Sequence, residues 1–220
     1  MDVQIVRTAD DSDSLYVPEL DESYHSINGA INESEHIFIN LGLKYFEGRK
    51  SLKIFEMGFG TGLNAFLTCL FAERNGLDIE YTSCEAFPLD LEIVSKLNYS
   101  ERLNADNDTF LKLHSARWNE IALINSNFNL LKIESRLENI NLTSKFDLIY
   151  FDAFSPAKQP ELWNEEVFLS LRNCLLRDGV IVTYCAKNSF KKMLRAIGFD
   201  VESHPGPAGK REVTRAILRK

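Results

Sequence analysis

The stretch that most limits what this chain can fold into is residues 52–64, which read LKIFEMGFGTGLN. Its apolar first part is typical of a short strand that is buried on both faces. Gly58, Gly60 and Gly62 then alternate with other residues just before a helical pattern. A strand that turns sharply into a helix needs residues without a Cβ, which also let a ligand approach the free N–H groups of the helix start. The pattern therefore predicts a strand, a loop and a helix, either with a bound ligand or as a ligand-free tight turn.

The spacing of these glycines indicates which class of ligand fits. A dinucleotide-binding fingerprint, G-x-G-x-x-G, would place its third glycine one residue later than Gly62. Glu56 stands two residues before the first glycine, and an acid followed by G-x-G-x-G resembles the motif of class I S-adenosylmethionine (SAM) methyltransferases. From this motif alone, SAM binding and a ligand-free turn both stay open.

Size and composition favour one globular domain. At 220 residues, with 45% hydrophobic and 11% aromatic residues, the chain is long enough for one well-buried domain and short for two. It contains no run of about 18 apolar residues, and its first residues, MDVQ, lack the apolar core of a signal peptide. We therefore expect a cytoplasmic protein that does not interact with membranes.

The four cysteines give no indication of a metal or a disulfide. Cys69, Cys84, Cys174 and Cys185 are scattered and form no C-x-x-C pair. Because each lies among apolar neighbours, buried free thiols are expected rather than a zinc site or disulfides, and no metal is expected elsewhere.

The chain is acidic overall, but its charge is unevenly distributed. A net charge of −7 argues against broad binding of nucleic acid. Acidic residues dominate up to Asn40, whereas lysines and arginines outnumber acids after Tyr184. The basic end can contact phosphate groups locally or can form an ordinary solvated face, and charge alone does not separate these interpretations.

Hydrophobic periodicity and turn residues predict strands that alternate with helices. Strands are predicted at residues 3–8, 14–17, 52–55, 79–84, 128–133, 146–151, 180–184, 199–203 and 213–218. Helices are predicted at residues 32–46, 63–74, 88–96, 109–113, 118–123, 135–142, 165–176 and 189–196. The connections are long enough for parallel strands, so we expect an α/β fold, a Rossmann-like doubly wound sheet that ends in an antiparallel hairpin. Residues 1–50 are expected to form an N-terminal extension with a hairpin, a loop and a helix with an Asn32 N-cap, packed on a domain of residues 51–220.

Three groups fall at the carboxyl ends of predicted strands, where doubly wound sheets bind their ligands. They are the glycine loop, Glu85 after the strand at 79–84, and Asp152 after another strand. Glu85 can accept hydrogen bonds from both hydroxyls of a ribose, although a solvated acid at a strand end is an equal alternative. Phe151 and Phe154 give Asp152 apolar surroundings, in which carboxyl pKa values shift. Together the three groups indicate one ligand crevice.

Five segments carry a resemblance that is more specific than the glycine loop. They run in family order across nearly the whole chain and are residues 24–38, 58–64 (GFGTGLN), 85–88 (EAFP), 147–163 (DLIYFDAFSPAKQPELW) and 209–212 (GKRE). With them the chain resembles the methyltransferase domain of MnmC, the bifunctional tRNA 5-methylaminomethyl-2-thiouridine biosynthesis protein, and its stand-alone relatives. The resemblance implies a class I SAM methyltransferase fold. It also implies N-methylation of 5-aminomethyl-(2-thio)uridine at the wobble position, U34, in the anticodon stem-loop of tRNA.

The same resemblance implies which residues form the site. Asp152 is the expected catalytic residue, which orients the amine, takes up its proton or binds the SAM ammonium. Cofactor binding is expected at Glu56, Gly58, Phe59, Gly60, Thr61, Gly62, Asn64, Glu85, Ala86, Phe87, Asp152 and Phe154. Substrate binding is expected at His25, Ser26, Asn28, Gly29, Glu33, Phe154, Ser155, Pro156, Lys158, Lys210 and Arg211. Lys158, Lys210 and Arg211 are expected to hold anticodon phosphates while the base flips outward.

Two features depart from the MnmC pattern. Ser135-Arg136 stands where family members often have Gly-Asp near the adenine. The chain has no second glycine fingerprint, so a stand-alone form without the flavin oxidoreductase half is expected. A separate enzyme is then expected to install the aminomethyl group beforehand.

Two other functions stay open on the same residues. A small-molecule amine N-methyltransferase would share the fold, and the acidic net charge favours it. A non-catalytic SAM-binding protein would bind the cofactor without forming product. A nicotinamide-dependent oxidoreductase is disfavoured by the glycine spacing.

Overall fold

The computed structural model describes residues 2–140 and 142–219, with a three-stranded N-terminal sheet and an eight-stranded central sheet. The strands are β1 (Gln4–Arg7), β2 (Asp13–Val17), β3 (Glu22–Ser23), β4 (Ser51–Met57), β5 (Asp78–Glu85), β6 (Ile121–Asn125), β7 (Phe128–Glu134), β8 (Phe146–Phe151), β9 (Leu175–Thr183), β10 (Asp200–Pro205) and β11 (Glu212–Ile217). The helices are α1 (Ala30–Ser34), α2 (Leu63–Asn75), α3 (Leu91–Val94), α4 (Tyr99–Arg102), α5 (Asn107–Ser115), α6 (Glu165–Asn173) and α7 (Asn188–Ala196).

The central sheet has the strand order β10-β11-β9-β8-β4-β5-β7-β6. β4 pairs in parallel with both β5 and β8, which in turn pair in parallel with β7 and β9. The chain therefore builds the sheet outward from β4 in one direction and then in the other, so the strand order reverses between β4 and β8. β10 and β11 form an antiparallel hairpin, and β11 pairs with β9. The predicted doubly wound α/β sheet with a C-terminal hairpin is confirmed.

Separate hydrophobic clusters cover the two faces of the central sheet. One includes Ile54 and Phe66, and the other includes Phe55, Phe151 and Phe168. Ile54 and Phe55 are neighbours on β4 and enter opposite clusters, as expected for a strand that is buried on both faces. The four cysteines are buried with free thiols, as the sequence predicts.

The N-terminal residues pack against the central sheet. β1 and β2 form the predicted antiparallel hairpin, to which the short strand β3 adds a third member. Leu15 of β2 and Phe38 belong to the same hydrophobic cluster as the residues of α2. The small sheet and the helical segment after it therefore share a core with the rest of the molecule.

The helix predicted with an Asn32 N-cap has a different start and a mixed geometry. It begins at Ala30 after Gly29, so Asn32 is not its N-cap. Asn32 N instead donates to Asp10 Oδ2 over 2.9 Å, which fixes the helix start to the β1–β2 turn. After α1 the chain continues as a π-helix, Glu35–Gly42, and ends in a 3-10 turn.

The sequence prediction is wrong on both sides of β7. Residues 118–123 are predicted as a helix but lead into β6, an edge strand that pairs antiparallel with β7. Ile121 and Leu123 on this strand are 76% and 61% exposed, so its apolar residues do not mark a buried face. The helix predicted after β7 is a single 3-10 turn, Leu137–Asn139, and Asn141 in its predicted range lies outside the described residues.

The described helices are short. α3 is four residues long, although a helix over residues 88–96 is predicted. α6 ends at Asn173 because β9 begins at Leu175, so the boundary predicted at residue 176 is late. α2 reaches 13 residues. Accordingly, none of the described helices combines the length and the apolar character needed to cross a membrane.

Candidate functional site

A cavity of about 360 Å³ opens at the carboxyl ends of β4, β5 and β8, where the strand order reverses. Segments from five parts of the chain form its wall, namely residues 22–27, 57–61, 85–87, 136–138 and 152–154. Glu33, Tyr184 and Lys210 add side chains from α1, from the end of β9 and from the β10–β11 turn. The glycine loop, Glu85 and Asp152 therefore lie around one cavity, as the crevice inferred from the sequence requires.

Close approaches require glycine at two positions of the loop after β4. Gly58 has φ 88°, and a Cβ there would lie 2.8 Å from the main-chain oxygen of Asp152. Gly60 has φ 47°, and a Cβ there would lie 2.9 Å from the ring of Tyr24. Both angles are left-handed, a region that residues with side chains rarely adopt. The loop can therefore pass between Asp152 and Tyr24 only because these two positions are glycine.

Glu85 is held by main-chain donors in the cavity wall. Its Oε2 accepts a hydrogen bond from Gly60 N over 3.0 Å, and its Oε1 accepts one from Phe87 N over 2.9 Å. Burial raises the pKa of this carboxyl, while these N–H groups oppose the rise. Phe87 is 45% exposed, and the Arg136 guanidinium lies 5.6 Å from its ring centre. This part of the wall therefore combines a fixed carboxyl acceptor with an accessible aromatic face.

Asp152 contributes a carboxyl whose charge is poorly compensated. Its Oδ2 accepts a hydrogen bond from Asn64 Nδ2 over 2.8 Å. Burial raises its pKa to about 7 with help from the nearby Glu33 carboxylate, against the opposing effects of Asn64 and Lys210. A carboxyl with such a pKa can take up or release a proton near neutral pH.

Residues 22–27, which we call the roof, belong to β3 of the N-terminal sheet and the loop after it, and they cover the cavity. The Tyr24 and Phe154 rings meet edge to face, with centroids 5.1 Å apart. Glu22 accepts hydrogen bonds from Ser155 N over 3.1 Å and from Ser155 Oγ over 2.9 Å, which ties the roof to the loop after β8. His25 is buried, and burial lowers its pKa to about 4, so its ring is neutral at pH 7.

Lys210 lies in the cavity wall, and its ammonium group is engaged there. It pairs with the Glu33 carboxylate and lies 4.3 Å from the centre of the Tyr184 ring. Glu33 also accepts a hydrogen bond from Ser26 N over 2.8 Å, and Tyr184 Oη donates to Ala153 O over 2.8 Å. In the structure its ammonium is therefore directed to the Glu33 carboxylate and the Tyr184 ring, and the expected contact of Lys210 with an anticodon phosphate stays a prediction.

Most of the residues expected at the site share this cavity. Those that line it are Gly58, Phe59, Gly60, Thr61, Asn64, Glu85, Ala86, Phe87, Asp152, Phe154, His25, Ser26, Glu33 and Lys210. The expected residues that do not line it are Glu56, Gly62, Asn28, Gly29, Ser155, Pro156, Lys158 and Arg211.

The residues outside the wall have other contacts. Glu56 is fully buried in β4, where its carboxyl accepts a hydrogen bond from Ser83 Oγ over 2.8 Å and burial raises its pKa to about 8. Asn28 packs on the β10–β11 turn so closely that a Cβ at Gly209 would lie 2.1 Å from its Nδ2. Lys158 is exposed on the loop after β8. These residues support or flank the cavity without reaching into it.

The list of expected site residues misses several residues of the wall, among them Tyr24, Gln159 and Tyr184. Tyr184 follows β9 as Asp152 follows β8, so its place at a strand end is a usable indication. Tyr24 reaches the cavity only because the N-terminal sheet folds over the glycine loop. No local pattern in the sequence indicates that contact.

Comparison with known proteins identifies the family. A family model described as S-adenosyl-L-methionine-dependent methyltransferase matches residues 102–219, which is more than half of the chain. The chain belongs to this family of methyltransferases. SAM, the cofactor that the resemblance implies, is thereby confirmed.

Curated relatives match the methyltransferase over most of its length. It is 30% identical over 218 residues to the tRNA 5-methylaminomethyl-2-thiouridine biosynthesis bifunctional protein MnmC of Cupriavidus metallidurans, a match that covers 91% of the chain and 32% of that protein. It is 28% identical to the protein of the same name from Azoarcus sp., over 87% of the chain and 32% of that protein. The chain thus spans about a third of the length of these relatives. The resemblance to the methyltransferase domain of MnmC is confirmed.

Solved structures agree with this assignment. MNMC2 from Aquifex aeolicus superposes with a TM-score of 0.79 at 28% sequence identity, over 99% of this chain and 70% of that one. Spermidine synthase from Thermotoga maritima superposes with a TM-score of 0.57 at 14% identity, over 98% of this chain and 72% of that one, which shows a shared fold alone. The expected class I methyltransferase fold is confirmed.

Proposed function

We propose that this methyltransferase converts 5-aminomethyl-(2-thio)uridine to 5-methylaminomethyl-(2-thio)uridine at the wobble position of tRNA. The substrate comes from the names of the MnmC relatives, which match nearly the whole chain. The observation that carries the proposal is Asp152, a carboxyl with a pKa of about 7 in the same cavity wall as the glycine loop. On this proposal the anticodon stem-loop is the partner, a separate enzyme installs the aminomethyl group beforehand, and the reaction takes place in the cytoplasm.

The wall of the cavity fits the groups of SAM. Both oxygens of Glu85 keep acceptor capacity beyond their main-chain bonds, which suits the two ribose hydroxyls. The exposed ring of Phe87 offers a face for the adenine, beside Arg136 instead of the acid that family members often carry there. Glycines at the loop let a ligand approach the N–H groups at the start of α2. When bound, SAM supplies an electrophilic methyl group on its sulfonium centre.

Asp152 is proposed to prepare the substrate amine. A primary amine has an ordinary pKa of about 10, so at neutral pH it is mostly an ammonium ion without a lone pair for attack. Asn64 binds Oδ2 of Asp152, and Oδ1 is proposed to take the proton from that ammonium and to hold the nitrogen in line. Glu33 contributes by keeping the pKa of Asp152 near neutrality, so that the carboxyl can pass the proton on to solvent.

The base of the anticodon uridine and the anticodon phosphates are proposed to contact different residues at and beside the cavity. A flipped uridine can stack on the aromatic pair of Tyr24 and Phe154. Lys158 and Arg211 are exposed, and each is the sequence neighbour of a residue that lines the cavity, Gln159 and Lys210. They are therefore the proposed phosphate contacts.

The N-terminal residues are proposed to be part of the substrate site. We treat residues 1–50 as an extension on a methyltransferase domain of residues 51–220. Three kinds of contact support a functional extension: Tyr24 faces Gly60, Glu22 binds Ser155, and Glu33 lies near Asp152. Without the extension, the proposed substrate pocket would lack its roof.

A small-molecule amine N-methyltransferase is the second candidate, because a net charge of −7 opposes binding of a polyanion. It would use the same cavity and the same carboxyl, but tRNA would not bind, and no salt-sensitive affinity would be measured. A protein that only binds SAM would form no methylated product with either kind of substrate.

The deciding experiment is transfer of a labelled methyl group from SAM to tRNA isolated from cells that lack this enzyme, followed by nucleoside analysis. We expect label in a methylaminomethyl nucleoside, and no label with tRNA that lacks the aminomethyl group. If the protein binds S-adenosylhomocysteine (SAH) but forms no such nucleoside, the proposed function is wrong. Transfer to small amines in the same assay would favour the second candidate.

A further inference from the structure

Lys132 is a buried lysine that the proposed reaction does not use. It lies on β7, outside the cavity wall, and is 1% exposed. Its ammonium lies 4.6 Å from the centre of the Trp118 ring and 5.1 Å from the centre of the Phe59 ring. Burying a charge is costly unless it is compensated, and two aromatic faces supply part of that compensation. Burial nonetheless lowers the pKa of Lys132 to about 8, so the group is mostly cationic at neutral pH.

Lys132 contacts the glycine loop directly at the Phe59 ring, and a second connection to the loop runs through His114. Lys132 Nζ donates a hydrogen bond to His114 O over 2.6 Å. The His114 ring contacts Thr61 O through Nε2 over 3.0 Å. Burial lowers the pKa of His114 to about 4, so the ring is neutral, and a carbonyl partner requires the proton on Nε2.

Both routes end on residues of the cavity wall. Phe59 and Thr61 line the cavity, whereas Lys132, His114 and Trp118 do not. The Phe59 ring packs edge to face on His114 at 5.2 Å and on Trp118 at 6.0 Å, so three side chains fix it from behind. We call Lys132, His114 and Trp118 the brace.

We propose that Lys132 is a positioning residue for SAM binding, which acts on the glycine loop through the Phe59 ring and His114. The inference rests on the proposed function only in taking the cavity as the SAM site. A loop with alternating glycines has many accessible conformations, and ordering it upon binding costs affinity. The brace holds one conformation beforehand, so SAM binds without that cost. An apolar side chain at position 132 would fill the space and contact the two rings, but it would lose the hydrogen bond to His114 O and the attraction of a cation for the rings.

The test compares SAH affinity by calorimetry in the full-length chain and in the variant Lys132→Met. Methionine keeps the length of the side chain but removes the charge and the hydrogen bond. We expect the Kd for SAH and the KM for SAM to rise about 5- to 30-fold, with kcat at saturating SAM and the KM for tRNA unchanged. Lys132→Arg keeps a cation and should recover part of the affinity.

Lys112→Met is the control for the loss of a lysine-to-carbonyl hydrogen bond, because Lys112 donates to Ile124 O but is exposed and does not line the cavity. Its SAH affinity should equal that of the wild type. A Lys132→Met protein with a lower melting temperature but wild-type SAH affinity would overturn the inference. If Lys132→Met does not fold, His114→Phe, which keeps a ring but loses the donor to Thr61 O, decides: a raised Kd supports the brace, and an unchanged Kd overturns it. A wild type that binds no SAH would overturn the proposed function and the brace together.

Discussion

Strand β8 carries an aspartate near each end, and the structure holds the two in opposite ways. Asp147, at the amino end, is paired with Arg49 Nη2 over 3.1 Å and accepts a hydrogen bond from Lys53 N over 2.9 Å. Asp152, just past the carboxyl end, has one amide donor, from Asn64, and lies near the Glu33 carboxylate. Asp147 is buried, and Asp152 is partly buried in the cavity wall. The Arg49 guanidinium compensates the charge of Asp147, whereas the Glu33 carboxylate disfavours a charge on Asp152.

The two aspartates of this strand region have different roles: Asp147 stabilises the fold, and Asp152 is suited to chemistry. A buried carboxylate with a guanidinium and an N–H partner holds neighbouring elements together, here the segment before β4 and the start of β8. Burial and a neighbouring acid raise the pKa of a carboxyl toward neutrality. This lowers the stability of the protein at neutral pH but lets the carboxyl act as a base. Sites of chemistry in this fold are therefore expected where charges are poorly compensated, at the carboxyl ends of the strands.

Asp152→Asn should lower the rate of methyl transfer more than any other substitution considered. Asparagine keeps the size of the side chain and an acceptor for Asn64 but cannot take up a proton. We expect kcat to fall about 10²- to 10⁴-fold, while the affinity for SAH stays close to that of the wild type. The measurement is single-turnover methyl transfer to tRNA beside calorimetry with SAH. A variant that turns over normally but loses SAH affinity would assign Asp152 to the SAM ammonium instead.

The same variant tests the cost of the buried acid. The pKa of Asp152 is raised from 3.8 to about 7 by burial and by Glu33, so the folded state favours the protonated form. Its contribution to stability is therefore present below about pH 4 and is lost as the pH rises toward 7. Asp152→Asn should lack this loss and should be more stable than the wild type at pH 8, as measured by urea denaturation.

Asp147→Asn should give the opposite result. Removing the carboxylate leaves Arg49 without its partner and weakens the acceptor for Lys53 N, so the free energy of unfolding should fall by about 1–2 kcal/mol. The value is moderate because the Arg49 side chain is 52% exposed. Urea denaturation at pH 7 measures the loss, and activity per folded molecule should not change. An Asp147→Asn protein of normal stability and reduced kcat would contradict the structural role of Asp147.

The sequence predicts the elements in which local pattern and burial agree. β8 is buried at every position and reads FDLIYF, and its predicted bounds match the structure. Parallel strands bring their carboxyl ends to one edge of the sheet, so Glu85 and Asp152 could be placed in one crevice once the strands were known. The fold and the placement of Glu85 and Asp152 in one crevice can therefore be predicted from the sequence.

The brace could not be predicted, because tertiary contacts form it. Ile121 and Leu123 are apolar but exposed, so the helical pattern at residues 118–123 does not mark a buried face, and the position of Trp118 does not follow from it. Lys132 interrupts the apolar strand FNLLKIE and resembles a solvent-facing charge at an edge of the sheet. Its burial depends on Trp118 and Phe59, which reach it from other elements.

Lys210 shows a related limit of sequence reasoning. A lysine in a basic segment is expected to contact phosphate when its partners are unknown. In the structure its partner is Glu33, which lies 177 residues earlier in the chain. Spacing within a sequence does not predict an ion pair over that separation. The same pair matters for the chemistry, because both groups influence the pKa of Asp152.

Glu33→Gln should produce a modest shift of the pH profile. Glu33 raises the pKa of Asp152 by like charge, and its removal also leaves Lys210 free to lower that pKa. Both changes act in the same direction. We expect the midpoint of the rise of kcat/KM with pH to move downward from about 7. Glu22→Gln is the control, because Glu22 also lines the cavity but is bound to Ser155 and is not among the groups that shift Asp152. An unchanged midpoint in Glu33→Gln, or an upward shift, would mean that the titrating group is not Asp152. The assignment of Asp152 as the base, in contrast to Asp147, would then be wrong.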